Sequence, residues 1–187
     1  MPELTPSQTI GPFFGFSLPY PTGPYIAPVG APGTIRLHGT VIDGAGAPVP
    51  DALVETWQAD ADGRRIAVPG SLRRDVTPFE FTGFGRSASD DDGHWFVSTV
   101  KPGPTGPRTA PFVAIVVFAR GLTTHLFTRC YFGDEEQANA SDAVLGRIDA
   151  DRRSSLVAEK DGERSYRFDI RLQGEGETVF FDYDRTL

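Results

Sequence analysis

Apolar positions after residue 34 of this chain begin to recur at every second residue, the period of a β-strand with one covered face. From Ile35 the alternation puts Ile35, Leu37, Gly39 and Val41 on one side and Arg36, His38, Thr40 and Ile42 on the other, and Asp43-Gly44 ends it with a turn. Segment 53–60 (LVETWQAD) reads as a second strand closed by Asp62-Gly63, and Asp92-Gly93 opens a third over 94–101. The run 112–118 (FVAIVVF) is continuously apolar and β-branched, which predicts a strand buried on both sides, with 123–132 beside it. Segments 166–173 and 178–184, separated by GEGE, read as a hairpin. Seven or eight short strands at this spacing predict an all-β fold, a two-sheet β-sandwich.

Three stretches depart from the strand pattern. Residues 1–34 carry eight prolines, each removing a backbone donor, so this part reads as an extended arm rather than a helix. Segment 64–85 is irregular. Between 134 and 160 the composition shifts to Ala, Glu, Asp and Arg, and Asp142 and Asp149 are placed to cap one or two short helices.

Length and composition bound the picture without sharpening it. At 187 residues the chain is expected to form a single domain, 1–187, and its 21 Gly and 16 Pro suit a turn-rich fold. A formal net charge of −7 with no basic stripe argues against a nucleic-acid partner. It also means that an anionic small molecule would need a local cation to hold it. No apolar run approaches the length needed to span a bilayer, the N-terminus lacks a signal-peptide pattern, and the one cysteine, Cys130, cannot form a disulfide within the chain. The expectation is a cytoplasmic protein without membrane contact.

Local chemistry is sparse. His38, His94 and His125 are the three histidines, no two closer than the 31 positions from His94 to His125, and no G-x-S-x-G accompanies them. His38 and His94 read as structural or surface residues; the alternative that joins His125, in THLFTRCYF, with Tyr131 in an unrelated metal site has two ligands, too few to hold a metal. Asp60-x-Asp62-Gly63 and Asp90-Asp91-Asp92-Gly93 lack the remaining ligands of a calcium loop and read as hairpin turns.

Taken together, TPSQTIGPFF (5–14), VETWQADADG (54–63), FGRSASDDDGHW (84–95), TVKPGP (99–104), FARGLTTHLFTRCYF (118–132) and YRFDIRLQGEGETVFF (166–181) resemble the intradiol ring-cleaving dioxygenases. The resemblance spans nearly the whole chain and is closest to the iron-free chain of the two-chain members that cleave protocatechuate (3,4-dihydroxybenzoate) with O2 to 3-carboxy-cis,cis-muconate. It implies a sandwich in which one Fe(III) is held by two tyrosinates and two imidazoles, hard anionic donors suiting the ferric state. In the family's catalytic chains one tyrosine follows the KPGP turn and a His-x-His pair opens the next strand. Here Thr105 follows KPGP, the strand opens Phe112-Val113-Ala114, and 64–85 contains no tyrosine. The resemblance therefore implies that this chain binds no iron and has no catalytic residue of its own. The Fe(III) of the assembled enzyme would belong to a homologous beta chain, and the arm 1–34 would pack on that partner.

The same resemblance implies pocket contacts from Thr9, Gly11 and Pro12 of the arm, and a role for Arg120 of FARG in holding the substrate's ring carboxylate. A guanidinium presents a fixed fork to a carboxylate and stays charged when partly buried. The competing reading of Arg120 is a strand-end cation paired with one of the chain's acids; that of Gly11 and Pro12 is an ordinary turn. Two rival functions remain. A homomeric catechol or hydroxyquinol dioxygenase is disfavoured because those relatives carry a helical N-terminal region. A stand-alone non-catalytic β-sandwich binding module would be a stable monomer, whereas the aromatics FFGF (13–16) and PYIAP (24–28) suggest an arm that covers another chain.

Overall fold

The computed structural model describes residues 9, 11, 13–28, 30–66 and 80–183. Nine strands form: β1 Thr34–Ile42, β2 Leu53–Trp57, β3 Phe84–Ala88, β4 His94–Val100, β5 Phe112–Phe118, β6 Leu126–Phe132, β7 Val157–Gly162, β8 Ser165–Arg167 and β9 Ile170–Arg171. Pairing runs β3-β2-β5-β6-β7-β8-β1-β4, with β9 also on β1. One layer is β3-β2-β5-β6 and the other is built around β4-β1-β8. Strand β7 joins them, lying parallel to β6 at one end and antiparallel to β8 at the other. Leu37, Trp95 and Val97 from the second layer pack in one core with Val54, Val113, Ile115 and Val117 from the first, as expected of a sandwich.

The turns between strands share one device. The Oδ1 of Asp43, Asp60 and Asp90 each accepts the backbone N–H groups two and four residues on, at 2.8–3.1 Å, and a glycine three residues after each adopts φ of 83°, 79° and 72°. Those carboxylates serve the backbone, which agrees with reading the Asp-rich turns as hairpin chemistry.

Four expectations change. Strand β5 is not buried on both sides: Val113, Ile115 and Val117 face the core, whereas Phe112, Ala114, Val116 and Phe118 are half-buried. The arm is not wholly extended, because Phe13–Ser17, its longest stretch without proline, forms a short helix, α1. Segment 134–160 holds one helix, α2 Glu136–Ser141, and two 3-10 turns, but its end is strand β7. Asp142 does cap, accepting from Val144 and Leu145 N–H at 2.8 and 2.9 Å. Finally, 166–173 is split into β8 and β9 because Phe168 N–H bonds to His38 O and Asp169 Oδ1 accepts from Thr40 N–H. Among the described residues, 178–183 contributes one isolated bridge, Phe127 to Phe181, instead of a hairpin ladder.

Candidate functional site

The half-buried face of β5 carries a different site at each end. At its start, Ala114 is flanked in register by Trp57 of β2 and Arg129 of β6, and Phe112 by Tyr131. The turn 60–63 is locked against the KPGP turn: Gly103 N–H bonds to Asp60 O at 2.8 Å, and a side chain on Gly63 would overlap the Pro104 carbonyl. That contact brings Thr105 to the same place. Lys101, just before it, bonds Asp134 at 2.8 Å and Glu135 at 2.6 Å and so ties the turn to the edge of α2. Burial alone would raise the Asp134 carboxyl, but hydrogen bonds from Lys101 and Tyr166 hold it below the usual range.

The result is a cavity of about 310 Å³ whose lining includes Trp57, Thr105, Phe112, Ala114, Arg129 and Tyr183. Thr105, Phe112 and Ala114 are the positions the sequence motifs matched to ligand positions, and they converge in space. None of the three offers an anionic or imidazole donor. Instead the Arg129 guanidinium sits 4.3 Å from the centre of the Phe112 ring and 5.8 Å from that of Phe181. Burial works against its charge, but the hydroxyls of Tyr131 and Tyr183 outweigh this and raise its pKa. A fixed cation in this space repels a second one, so the residues present do not fit a ferric ion.

His125 and Tyr131 do not converge. They stand at opposite ends of β6, about 20 Å apart at a strand's rise per residue. The Tyr131 hydroxyl is buried, bonds to Asp142, and is pushed up to about 12, chiefly by burial, while His125 packs between the rings of Phe118 and Phe127. His38 and His94 are neighbours, with His38 Nε2 2.8 Å from Asp161 and His38 Nδ1 3.3 Å from His94 Nε2.

At the far end of β5 lies the second site. Phe14 of α1 is buried with its ring 5.9 Å from that of Phe118, and the Thr9 hydroxyl accepts from Gly121 N–H at 3.0 Å and Gly11 N–H at 3.3 Å. The structure thus brings Thr9, Gly11 and Arg120 to one corner; Pro12 lies outside the described residues. Arg120 is 62% exposed, and its Nε donates to Asp51 Oδ2 at 2.6 Å. Asp51, just before β2 and 13% exposed, was not singled out by sequence, which gives no sign of a partner 69 positions away. Its Oδ1 is buried without a hydrogen bond. Arg86 holds the rest of the arm: it pairs with Glu55 at 2.6 Å and donates to Leu18 O at 2.9 Å. Phe13 and Phe16 of α1 are left 75% and 82% exposed.

These two ends cannot serve one pocket. Arg120 is six positions past Ala114, about 20 Å along the strand direction, and its largely exposed guanidinium pairs with Asp51.

The dioxygenase family model matches residues 11–174, and the chain belongs to the intradiol dioxygenases, an iron-dependent family. It is 45% identical to the protocatechuate 3,4-dioxygenase alpha chain of Burkholderia cepacia, over 96% of this chain and 98% of that one. The beta chain from the same organism is 31% identical over 77% of this chain and 66% of its own length. Among solved structures, the dioxygenase domain of a dioxygenase and carbohydrate-binding protein fusion from Streptomyces sp. SirexAA-E superposes with a TM-score of 0.60 at 23% identity, covering 92% of this chain and 99% of that one. This last likeness concerns the fold. Among the described residues no helix is long and apolar enough to cross a membrane.

Proposed function

We propose that this chain is the alpha subunit of a two-chain protocatechuate 3,4-dioxygenase of the cytoplasm. It lacks the iron ligands and completes, with its arm and Arg120, a substrate pocket around Fe(III) held by a homologous beta chain. The ring of protocatechuate is opened with O2 to 3-carboxy-cis,cis-muconate, and the partner's iron supplies the redox chemistry. This chain's part is to bind and orient. Arg120 takes the ring carboxylate through its outward nitrogens while Asp51 fixes Nε; Thr9, held by its hydrogen bond from Gly121 N–H, contacts the substrate, as do Gly11 and Pro12. The exposed Phe13 and Phe16 give the arm an apolar face for the partner.

The observation that carries this reading is the cavity at the matching ligand positions, where threonine, phenylalanine and alanine stand beside an arginine. Full-length likeness to alpha chains supports it. The test is to purify the chain alone and after co-expression with a candidate beta chain, and to measure iron per chain and the tyrosinate-to-iron visible absorption. Iron, colour and activity on protocatechuate only in the co-expressed protein are expected. Stoichiometric iron and colour in the chain alone would overturn the reading, and a stable iron-free monomer that ignores every beta chain would favour a stand-alone binding module.

A further inference from the structure

The cavity at Thr105, Phe112 and Ala114 has lost the means to hold a metal, yet it has not closed. About 310 Å³ stays open, within the size range of small-molecule sites. Its lining is amphipathic in a specific way. Trp57 is 40% exposed and Phe112 half-buried, so two aromatic surfaces border the space. The Arg129 guanidinium covers the Phe112 ring, and Ala114, which separates Trp57 from Arg129 across three strands, has a side chain too small to fill the gap between those two.

Arg129 is also under-used. It forms no ion pair with a carboxylate among the described residues. Its hydrogen bonds go to uncharged partners, the Tyr131 hydroxyl, long at 3.5 Å, and the Tyr183 hydroxyl. The nearest acid on that path, Asp142, is already occupied by the N–H groups of Ala110, Val144 and Leu145 and by the Tyr131 hydroxyl. Half-buried cations of this kind are ordinarily paired, so hydrogen-bonding capacity for an anion is left over.

We propose that this cavity is a binding site for a small aromatic carboxylate, with the carboxylate on the Arg129 guanidinium and the ring between Trp57 and Phe112. The guanidinium supplies the paired N–H groups that a carboxylate accepts, and stacking on Phe112 limits its rotamers in advance. An aromatic ring matches the flat apolar walls, whereas a bare oxyanion would leave them wet. The site is non-catalytic and lies about 20 Å along β5 from Arg120, so a chain assembled with a partner would have two separate places for aromatic acids.

The test is isothermal titration of the full-length chain, in whichever assembly it purifies, with benzoate, with its neutral isostere benzamide, and with acetate. If an iron-bearing partner is present, its site is followed separately through visible absorption, and binding in excess of that stoichiometry is read. Expected are one excess benzoate site per chain, affinity for benzamide weaker by roughly tenfold to a hundredfold, no competition from acetate, and loss of the site in Arg129→Gln. Equal binding of benzamide, full displacement by acetate, or no benzoate binding at millimolar concentration would overturn the proposal. So would an unaltered site in Arg129→Gln; if that variant fails to fold, the ligand comparison on the unaltered chain still decides. None of these outcomes depends on iron loading or ring cleavage, which test the subunit role.

Discussion

Replacing Arg120 with alanine separates a charge that binds substrate from a charge that merely decorates a strand end. A hydrogen bond to a charged group contributes on the order of 1.5–3 kcal/mol. Because the side chain is 62% exposed, the lower end applies, about 1.4 kcal/mol or tenfold. In the assembled enzyme Arg120→Ala should therefore raise KM for protocatechuate about tenfold and leave KM for a catechol without the carboxylate unchanged. The variant also strips Asp51 of its 2.6 Å partner, and Asp51 Oδ1 has no other hydrogen bond. That orphaned, mostly buried carboxylate should cost about 1–2 kcal/mol, which the double variant Arg120→Ala with Asp51→Asn should partly restore. Asp51→Asn alone keeps the guanidinium and an amide oxygen that can accept from its Nε, removing only the carboxylate charge, so its KM effect should be smaller than that of Arg120→Ala. Steady-state kinetics on both substrates and thermal unfolding midpoints of the four proteins measure all of this. An unchanged KM for protocatechuate, or an equal rise for both substrates, would refute the carboxylate contact.

Three further outcomes follow from single contacts. Arg86→Ala leaves Glu55, 15% exposed, without its 2.6 Å partner and releases the Leu18 carbonyl, so thermal unfolding should report a loss of about 3 kcal/mol, with the arm cut faster by protease; a change under about 0.5 kcal/mol would show the pair to be idle. Gly39→Ala drives a methyl group into the backbone carbonyl of Phe168, where neither strand can yield, and should lower stability by about 3 kcal/mol in a denaturant titration. His94 has its pKa lowered from 6.5, first by burial and then by Arg36, so the folded chain binds this proton less readily than the unfolded chain. Stability tied to His94 is therefore present above 6.5 and falls as pH drops through it toward the depressed value; the midpoint of the parent should fall more between about pH 7 and pH 5 than that of His94→Gln, and parallel curves would refute the assignment.

Strand alternation in 35–42, and the Asp-Gly turns that also placed 94–101, were legible because each depends on local chemistry: side-chain period and carboxylate-to-backbone bonds two and four residues on. The misreadings depend on distant partners. VAEK in 157–160 has helix-forming residues but becomes strand β7 because β6 and β8 offer edges on both sides. FGRSA in 84–88 has no apolar alternation, and it is a strand because Gly85 lets Ile26 of the arm sit on it. Phe112–Phe118 looked buried on both faces since every residue is apolar; its outer face is covered only in part, by Phe14 at one end and by Arg129 at the other. Motifs singled out Thr105, Phe112 and Ala114, which do line one cavity, but not Arg129, because its place opposite Ala114 is fixed by the β5 to β6 register.

That register also explains why the cavity stands open. The core that holds β5 flat is made by Val113, Ile115 and Val117, all on the opposite face, so nothing in it depends on what Phe112 and Ala114 do. Substituting ligands on the outer face therefore costs the sandwich little, and the cavity is free to change its charge preference. A metal site needs several anionic or neutral donors converging on one point; a single guanidinium inserted there reverses the sign of the ligand the space prefers. Returning donors at 105, 112 and 114 while leaving Arg129 in place would still set a cation beside the incoming metal. The charge preference of this space is thus set by β6 as much as by positions 105, 112 and 114.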